Sequence, residues 1–162
     1  MKAKVFLMLA LAYLQVGATN LAEMALSRGY KNNNPLNLVH DPSNRWVGLV
    51  GHDGRFCCFD SVQHGFRAAF ITIHTYMIVH GLDTVDGIIS RWAPEGENNT
   101  KDYIWYVCGE MKCKRYKVLD FYSSDEMCAL VGAMAKMESG KEFDKKIIRA
   151  AYCNALKSVA AR

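Results

Sequence analysis

Three carboxylates stand where a carboxylate needs explaining: Glu138, Glu97 and Asp53. Glu138 closes a helical pattern in which Met127, Leu130, Val131 and Met134 precede it by eleven, eight, seven and four residues, so it falls on the apolar stripe. A carboxyl there, in the last turn and facing the negative end of the helix dipole, is expected to hold its proton more tightly than usual. A general acid working at neutral pH needs that property. The alternative is a side chain curling back to Lys141 or Lys145 at the frayed helix end. Glu97 lies in the polar run Pro94-Glu95-Gly96-Glu97-Asn98-Asn99, and Asp53 in His52-Asp53-Gly54. Each is either an assisting carboxylate, positioning water or stabilising an oxocarbenium-like centre, or local structure: a pre-cap acid and a turn residue. The sequence has no Gly-rich phosphate loop, nucleophile elbow or HExxH, and its Cys and His residues form no nucleophile or metal-ligand pattern. Carboxylate chemistry on a glycosidic bond is what remains, with no metal and no cofactor expected.

The polar surface for such chemistry is the run Arg28-Gly29-Tyr30-Lys31-Asn32-Asn33-Asn34-Pro35-Leu36-Asn37. Four Asn and a Pro within residues 32–37 cannot form a helix, because Asn side chains bond to nearby backbone and Pro removes a donor while fixing φ. Asn32, Asn33, Asn34 and Asn37 therefore either hold a shaped loop together or read sugar hydroxyls and N-acetyl groups. Trp46, Trp92 and Tyr103 are core residues unless exposed, in which case they offer sugar-stacking faces. Arg28, Arg55, Arg67 and Arg91 could hold the loop's carbonyls or bind glycan carboxylates.

Residues 21–27 read as a short helix ending at Arg28-Gly29. Residues 36–39, 46–50 and 55–59 read as short strands, with His52-Asp53-Gly54 as a hairpin turn. Helices are predicted over 61–80, capped by Asp60 or Ser61 and stopped by Gly81; over 85–92; over 100–107, capped by Asn99; over 124–138, with Ser123 and Glu126 as a capping box; and from Asp144 to about Lys157. His74 and His80 are ordinary helix residues in this reading. The fold class is α+β: a small N-terminal β-hairpin lobe followed by a helical body.

One domain fits 162 residues, and a chain 51% hydrophobic and 22% charged is a folded one. The formal charge of +4 falls further once Lys2 and Lys4 leave with residues 1–18, so no nucleic-acid partner is expected. Residues 1–18 have a basic start, an apolar run and small residues at Gly17 and Ala18, the pattern of a secretory leader; the rivals are a membrane tether and a helix buried in a particle. Residues 19–162 form the domain. Six cysteines, Cys57, Cys58, Cys108, Cys113, Cys128 and Cys153, lie beyond the leader, and an even count in an exported chain suggests disulfide stapling. Cys57 and Cys58 should point to opposite faces of their strand, and Cys108 with Cys113 is the first pair to expect.

The Asn-rich run, continued by Trp46-Val47-Gly48, Asp53-Gly54-Arg55-Phe56, Phe59, Gly65-Phe66-Arg67-Ala68, Arg91-Trp92-Ala93-Pro94 and Glu97-Asn98-Asn99-Thr100, resembles a family of small phage and prophage proteins. Their sequences read roughly RGxRNNNPGN, WxG, DxRFxxF, GxRA and RWAPxxEND, and they are usually described as virion structural proteins. The resemblance spans about residues 28–140. It departs at Leu36, where the family has Gly, which argues against a φ > 0 turn there; at Asn99 in place of Asp; and at Val62-Gln63-His64 in place of Pro-Glu. Met137-Glu138-Ser139-Gly140 resembles the family's His-Glu-x-Gly and also the helix-ending Glu-Ser of lytic transglycosylases and other lysozyme-like muramidases. In those enzymes the Glu helix precedes the hairpin lobe, so a common fold would be circularly permuted here. The resemblance implies a phage protein, exported or virion-borne, that cleaves peptidoglycan glycan strands. Its alternatives are a non-catalytic virion component contacting other virion proteins and a peptidoglycan-binding module.

Overall fold

A computed structural model describes residues 27–96 and 99–161; the leader and Glu97 lie outside the described residues. The described residues open with a single-turn helix, α1 (Arg28–Lys31), capped by Ser27, whose Oγ accepts from the Tyr30 N–H. Residues 28–31 were expected in the loop; the Ser cap and the absence of Asn and Pro before Asn32 let one turn form first. The loop then runs to a two-stranded antiparallel hairpin, β1 (Leu49–His52) and β2 (Cys57–Phe59), with His52 paired to Cys57 across the Asp53-Gly54 turn.

The strand expected over 36–39 does not form; only Val39 makes an isolated bridge, to Phe56. Two ladder bonds make that bridge, the Cys57 N–H to the Leu38 carbonyl at 2.9 Å and the His40 N–H to the Arg55 carbonyl at 2.8 Å, and the Asn34 side chain limits it: Oδ1 accepts from the Leu38 N–H at 2.9 Å and Nδ2 shares the Leu38 carbonyl, also at 2.9 Å. Leu36, the residue standing for the family's Gly, is fully buried, and the left-handed turns fall instead on Asn33 (φ 51°) and Asn37 (φ 52°). Asn tolerates that conformation where most residues do not.

Five helices follow: α2 (Val62–His80), α3 (Val85–Trp92), α4 (Thr100–Met111), α5 (Ser124–Ser139) and α6 (Lys145–Ala160). Ser61, Thr84, Asn99, Ser123 and Asp144 cap their N-termini with side-chain oxygens, and Gly81 (φ 64°) and Gly140 (φ 69°) end α2 and α5 in the left-handed region. The capping box at α5 is half made: Ser123 accepts from the Glu126 N–H, but Glu126 turns to the Asp120 N–H at 2.9 Å and to Lys117. Helices α2 and α6 pack against each other, α5 packs on α4 and α6, and β2 rests on α2. Phe66, Phe70 and Ile73 on α2 are fully buried, together with Leu130, Val131 and Met134 on α5. Each such side chain contributes about 1.5–3 kcal/mol through the apolar area removed from water.

The architecture is α+β, as read from the sequence. The disulfide stapling expected from the even cysteine count is not part of it: all six cysteines are free thiols. Packing and capping hold the fold, with Cys57 buried in the core and Cys58 on the other face of β2. No helix among the described residues is long and apolar enough to cross a membrane.

Candidate functional site

The Asn-rich loop is built inward, onto two glycines. A Cβ at Gly65, in the first turn of α2, would sit 2.1 Å from the Asn33 carbonyl oxygen, and one at Gly29 would sit 2.7 Å from the Asn34 carbonyl oxygen and 2.8 Å from Asn37 Oδ1. The loop backbone thus lies directly on helix backbone, which only glycine permits. From there the asparagines divide their work. Asn32 Nδ2 donates to Asp53 Oδ2 at 2.5 Å, Asn33 Nδ2 to the Phe59 carbonyl at 3.0 Å, and Asn34 Nδ2 to the Cys57 carbonyl at 3.0 Å. These three tie the loop to the hairpin. Only Asn37 turns away from it.

Asn37 Nδ2 donates to Glu138 Oε2 at 2.9 Å, joining residues 101 positions apart, and the Tyr103 hydroxyl on α4 donates to Glu138 Oε1 at 3.1 Å. Glu138 follows Met134 on the same face of α5, and its carboxyl is half-buried where the hairpin lobe, α4 and α5 meet. Its carboxyl bonds to these two donors rather than to Lys141 or Lys145; the Lys141 ammonium lies over the Tyr30 ring at 5.1 Å. Burial raises the Glu138 pKa above the ordinary glutamate value, while the hydrogen bonds from Asn37 and Tyr103 oppose part of that rise. Burial, with the neighbouring Glu138, pushes the Tyr103 phenol far above its usual range, so it remains a hydroxyl donor at any working pH. The resulting carboxyl holds its proton to higher pH than an ordinary glutamate and, once it gives that proton up, finds two donors already in place for its charge. Asn37 Oδ1, wedged against Gly29, is buried without a partner.

Asp53 sits in a contrasting environment. Its carboxylate accepts from Arg28 Nε and Nη2, from Asn32 Nδ2 and from the backbone N–H groups of Arg55 and Phe56. The Arg28 guanidinium and the Phe56 N–H hold its pKa well below the usual carboxylate range, so it stays ionised and has no proton to give. Its bonds close the hairpin turn. Because its folded pKa is depressed, the stability it contributes is present above the unfolded value of about pH 4 and is lost as pH falls below it. Asp53→Asn is expected to flatten the fall of Tm between about pH 4 and 2, followed by circular dichroism.

The other candidates disperse. Arg67 donates to Ser158 Oγ at 2.7 Å, bridging α2 to α6. Arg55 lies over the Phe56 ring at 5.2 Å, on the hairpin. Trp46 and Trp92 are partly buried against the core, Trp92 edge-on to Tyr76 at 6.2 Å, and Arg91 covers the other ring of that pair at 5.0 Å. Tyr103 is buried, so its contribution is its hydroxyl rather than a stacking face. Sequence reasoning did not assign Gly29 and Gly65 a role. The available signal was a glycine inside the first turn of α2, where it costs about 1 kcal/mol relative to Ala unless close packing requires it.

Comparison with known proteins places the chain among those of bacteriophages, although no family model matches it. It is 37% identical over 144 residues to Protein P5 of Pseudoalteromonas phage PM2, an alignment that covers 86% of this chain and 87% of that protein. The chain belongs to the family of that phage protein.

Proposed function

We propose that this phage protein cleaves the glycan strand of peptidoglycan, with Glu138 as the general acid. The observation that carries the reading is the half-buried Glu138 carboxyl at the junction of the two lobes, its pKa raised by burial and its two oxygens met by Asn37 Nδ2 and the Tyr103 hydroxyl. The helix-ending Glu138-Ser139 resembles that of lysozyme-like muramidases, which supports the reading, although in this chain the hairpin precedes the helix. Glu138 protonates the glycosidic oxygen as the bond breaks. Tyr103 and Asn37 then stabilise the carboxylate that is left, which lowers the energy of the proton-transfer transition state. Asp53, ionised and on the same side of the Asn-rich loop as Arg28 and Asn32, supplies negative charge rather than a proton, and Glu97 is the other assisting carboxylate. No cofactor takes part. The protein works outside the cytoplasm of an infected cell or from the virion.

A specific observation favours a second reading, a non-catalytic virion component: Asp53 is engaged by Arg28, Asn32 and two backbone N–H groups, as a structural acid would be. There, Asn37 and Glu138 would join the lobes and the hairpin would serve as an assembly surface. Incubating the full chain with purified murein separates the readings. Turbidity clearing with release of soluble glycan fragments is expected; intact murein after prolonged incubation with folded protein would leave the structural role.

A further inference from the structure

Helix α4 ends in a closure that brings two thiols together. Lys112 adopts the left-handed conformation (φ 51°, ψ 45°), its N–H directed to the carbonyls of Cys108 and Gly109, and the Cys113 N–H returns to the Cys108 carbonyl at 3.0 Å. This is the Schellman motif, in which the residue three places inside the helix end meets the one just beyond the left-handed residue, usually through an apolar contact. Here both positions are cysteine. Their side chains are partly buried against the core, at the two positions that the motif brings together. The other cysteines lack such a frame: Cys57 and Cys58 occupy opposite faces of β2, and Cys128 and Cys153 lie on different helices.

We propose that Cys108 and Cys113 are a disulfide-forming site, organised in advance by the helix C-cap and closed by exchange with an external disulfide. One thiolate of the pair attacks one sulfur of a small-molecule disulfide, forming a mixed disulfide and expelling one thiolate. The other cysteine then loses its proton to solvent and displaces the second thiolate. The protein loses two hydrogens, and the donor is reduced to two thiols. Burial and the neighbouring thiol push the Cys108 pKa up.

The bond would secure more than a helix end. The strap that follows is fastened to the start of α3: the Asp86 N–H donates to the Arg115 carbonyl at 3.0 Å, the Leu119 N–H to the Asp83 carbonyl at 2.8 Å, and Thr84 bridges Val118. Oxidation would fix the origin of this strap and hold Lys112 in a conformation that only glycine adopts freely.

The test is to incubate the native full-length protein with oxidised glutathione and digest it with trypsin. Lys112 lies between the two cysteines, so cleavage after it separates them and a linked pair appears as joined peptides. The expected product is the Cys108–Cys113 link, with a rise in Tm on the order of 5 °C. Cys108→Ser and Cys113→Ser should each stop at a glutathione adduct, with no gain in Tm. The proposal is overturned if folded protein gains adducts at the exposed Cys153 but no Cys108–Cys113 link. It is equally overturned if either residue pairs with another cysteine, or if the link forms only in denaturant.

Discussion

Glu138→Gln is expected to lower the rate of murein solubilisation by about 100- to 10,000-fold, the usual worth of a general acid. Glutamine keeps the shape and the acceptor oxygen for Tyr103 but has no proton of the right acidity to transfer. The fold should not suffer, and the sign of the stability effect follows from the raised pKa. The folded state holds the Glu138 proton more tightly than the unfolded chain does. The stability that Glu138 contributes is therefore fully present below the unfolded value of about pH 4.3 and is lost as pH rises through the folded pKa. Glutamine does not titrate, so the Tm of the variant should match or exceed that of wild type at pH 7, and the gap should close below about pH 4. A variant that is both inactive and grossly destabilised at pH 7 would instead mark Glu138 as a structural tie. In the same way, activity should fall as pH rises through the Glu138 pKa, giving an alkaline limb above the ordinary glutamate value.

The largest stability effect is expected at Asn34. The side chain is completely buried and its amide makes three bonds, to the Leu38 N–H, the Leu38 carbonyl and the Cys57 carbonyl. Asn34→Ala takes away the side-chain partner of the Leu38 N–H and of the Cys57 carbonyl, while the Leu38 carbonyl keeps the Cys57 N–H, at a cost of roughly 2–4 kcal/mol, or about 10 °C in Tm. Asn34→Asp should be nearly as damaging, because a carboxylate cannot donate to the two carbonyls. Gly65→Ala tests the same junction from the other side: its Cβ would fall 2.1 Å from the Asn33 oxygen, so loop and helix must separate. Thermal unfolding of the three variants measures these costs. Losses under 1 kcal/mol would mean that the loop is not packed as described.

The elements legible in the sequence are those whose ends are chemically marked. Ser61 and Gly81 bound α2, Thr84 and Pro94 bracket α3, and the His52-Asp53-Gly54 turn sets the hairpin. Helix α4 runs to Met111, past the expected 107, because its stop is a left-handed lysine, a signal that composition does not carry. The missing strand at 36–39 failed for a related reason: a strand pattern assumes a neighbouring strand as partner along its length, and here the Asn34 side chain takes the Leu38 N–H, leaving β2 only the single bridge at Val39. At the site, the position of Glu138 on the apolar stripe of α5 was readable from spacing, since Met127, Leu130, Val131 and Met134 all come out buried. Its partners were not. Asn37 is brought to it by tertiary packing across 101 residues, and nothing in the run 32–37 distinguishes the asparagine that leaves the loop from the three that close it. Tyr103 was legible as a buried ring but not as a hydroxyl aimed at the acid.

The most direct test of the central claim is the titration of Glu138 itself, followed by carbon-detected NMR of the side-chain carboxyl, with Glu138→Gln to assign the signal. A midpoint clearly above the ordinary value of about 4.3, falling further above it in Tyr103→Phe and Asn37→Ala as their hydrogen bonds are lost, is the predicted result. A midpoint at or below 4.3, unmoved by either substitution, would contradict it.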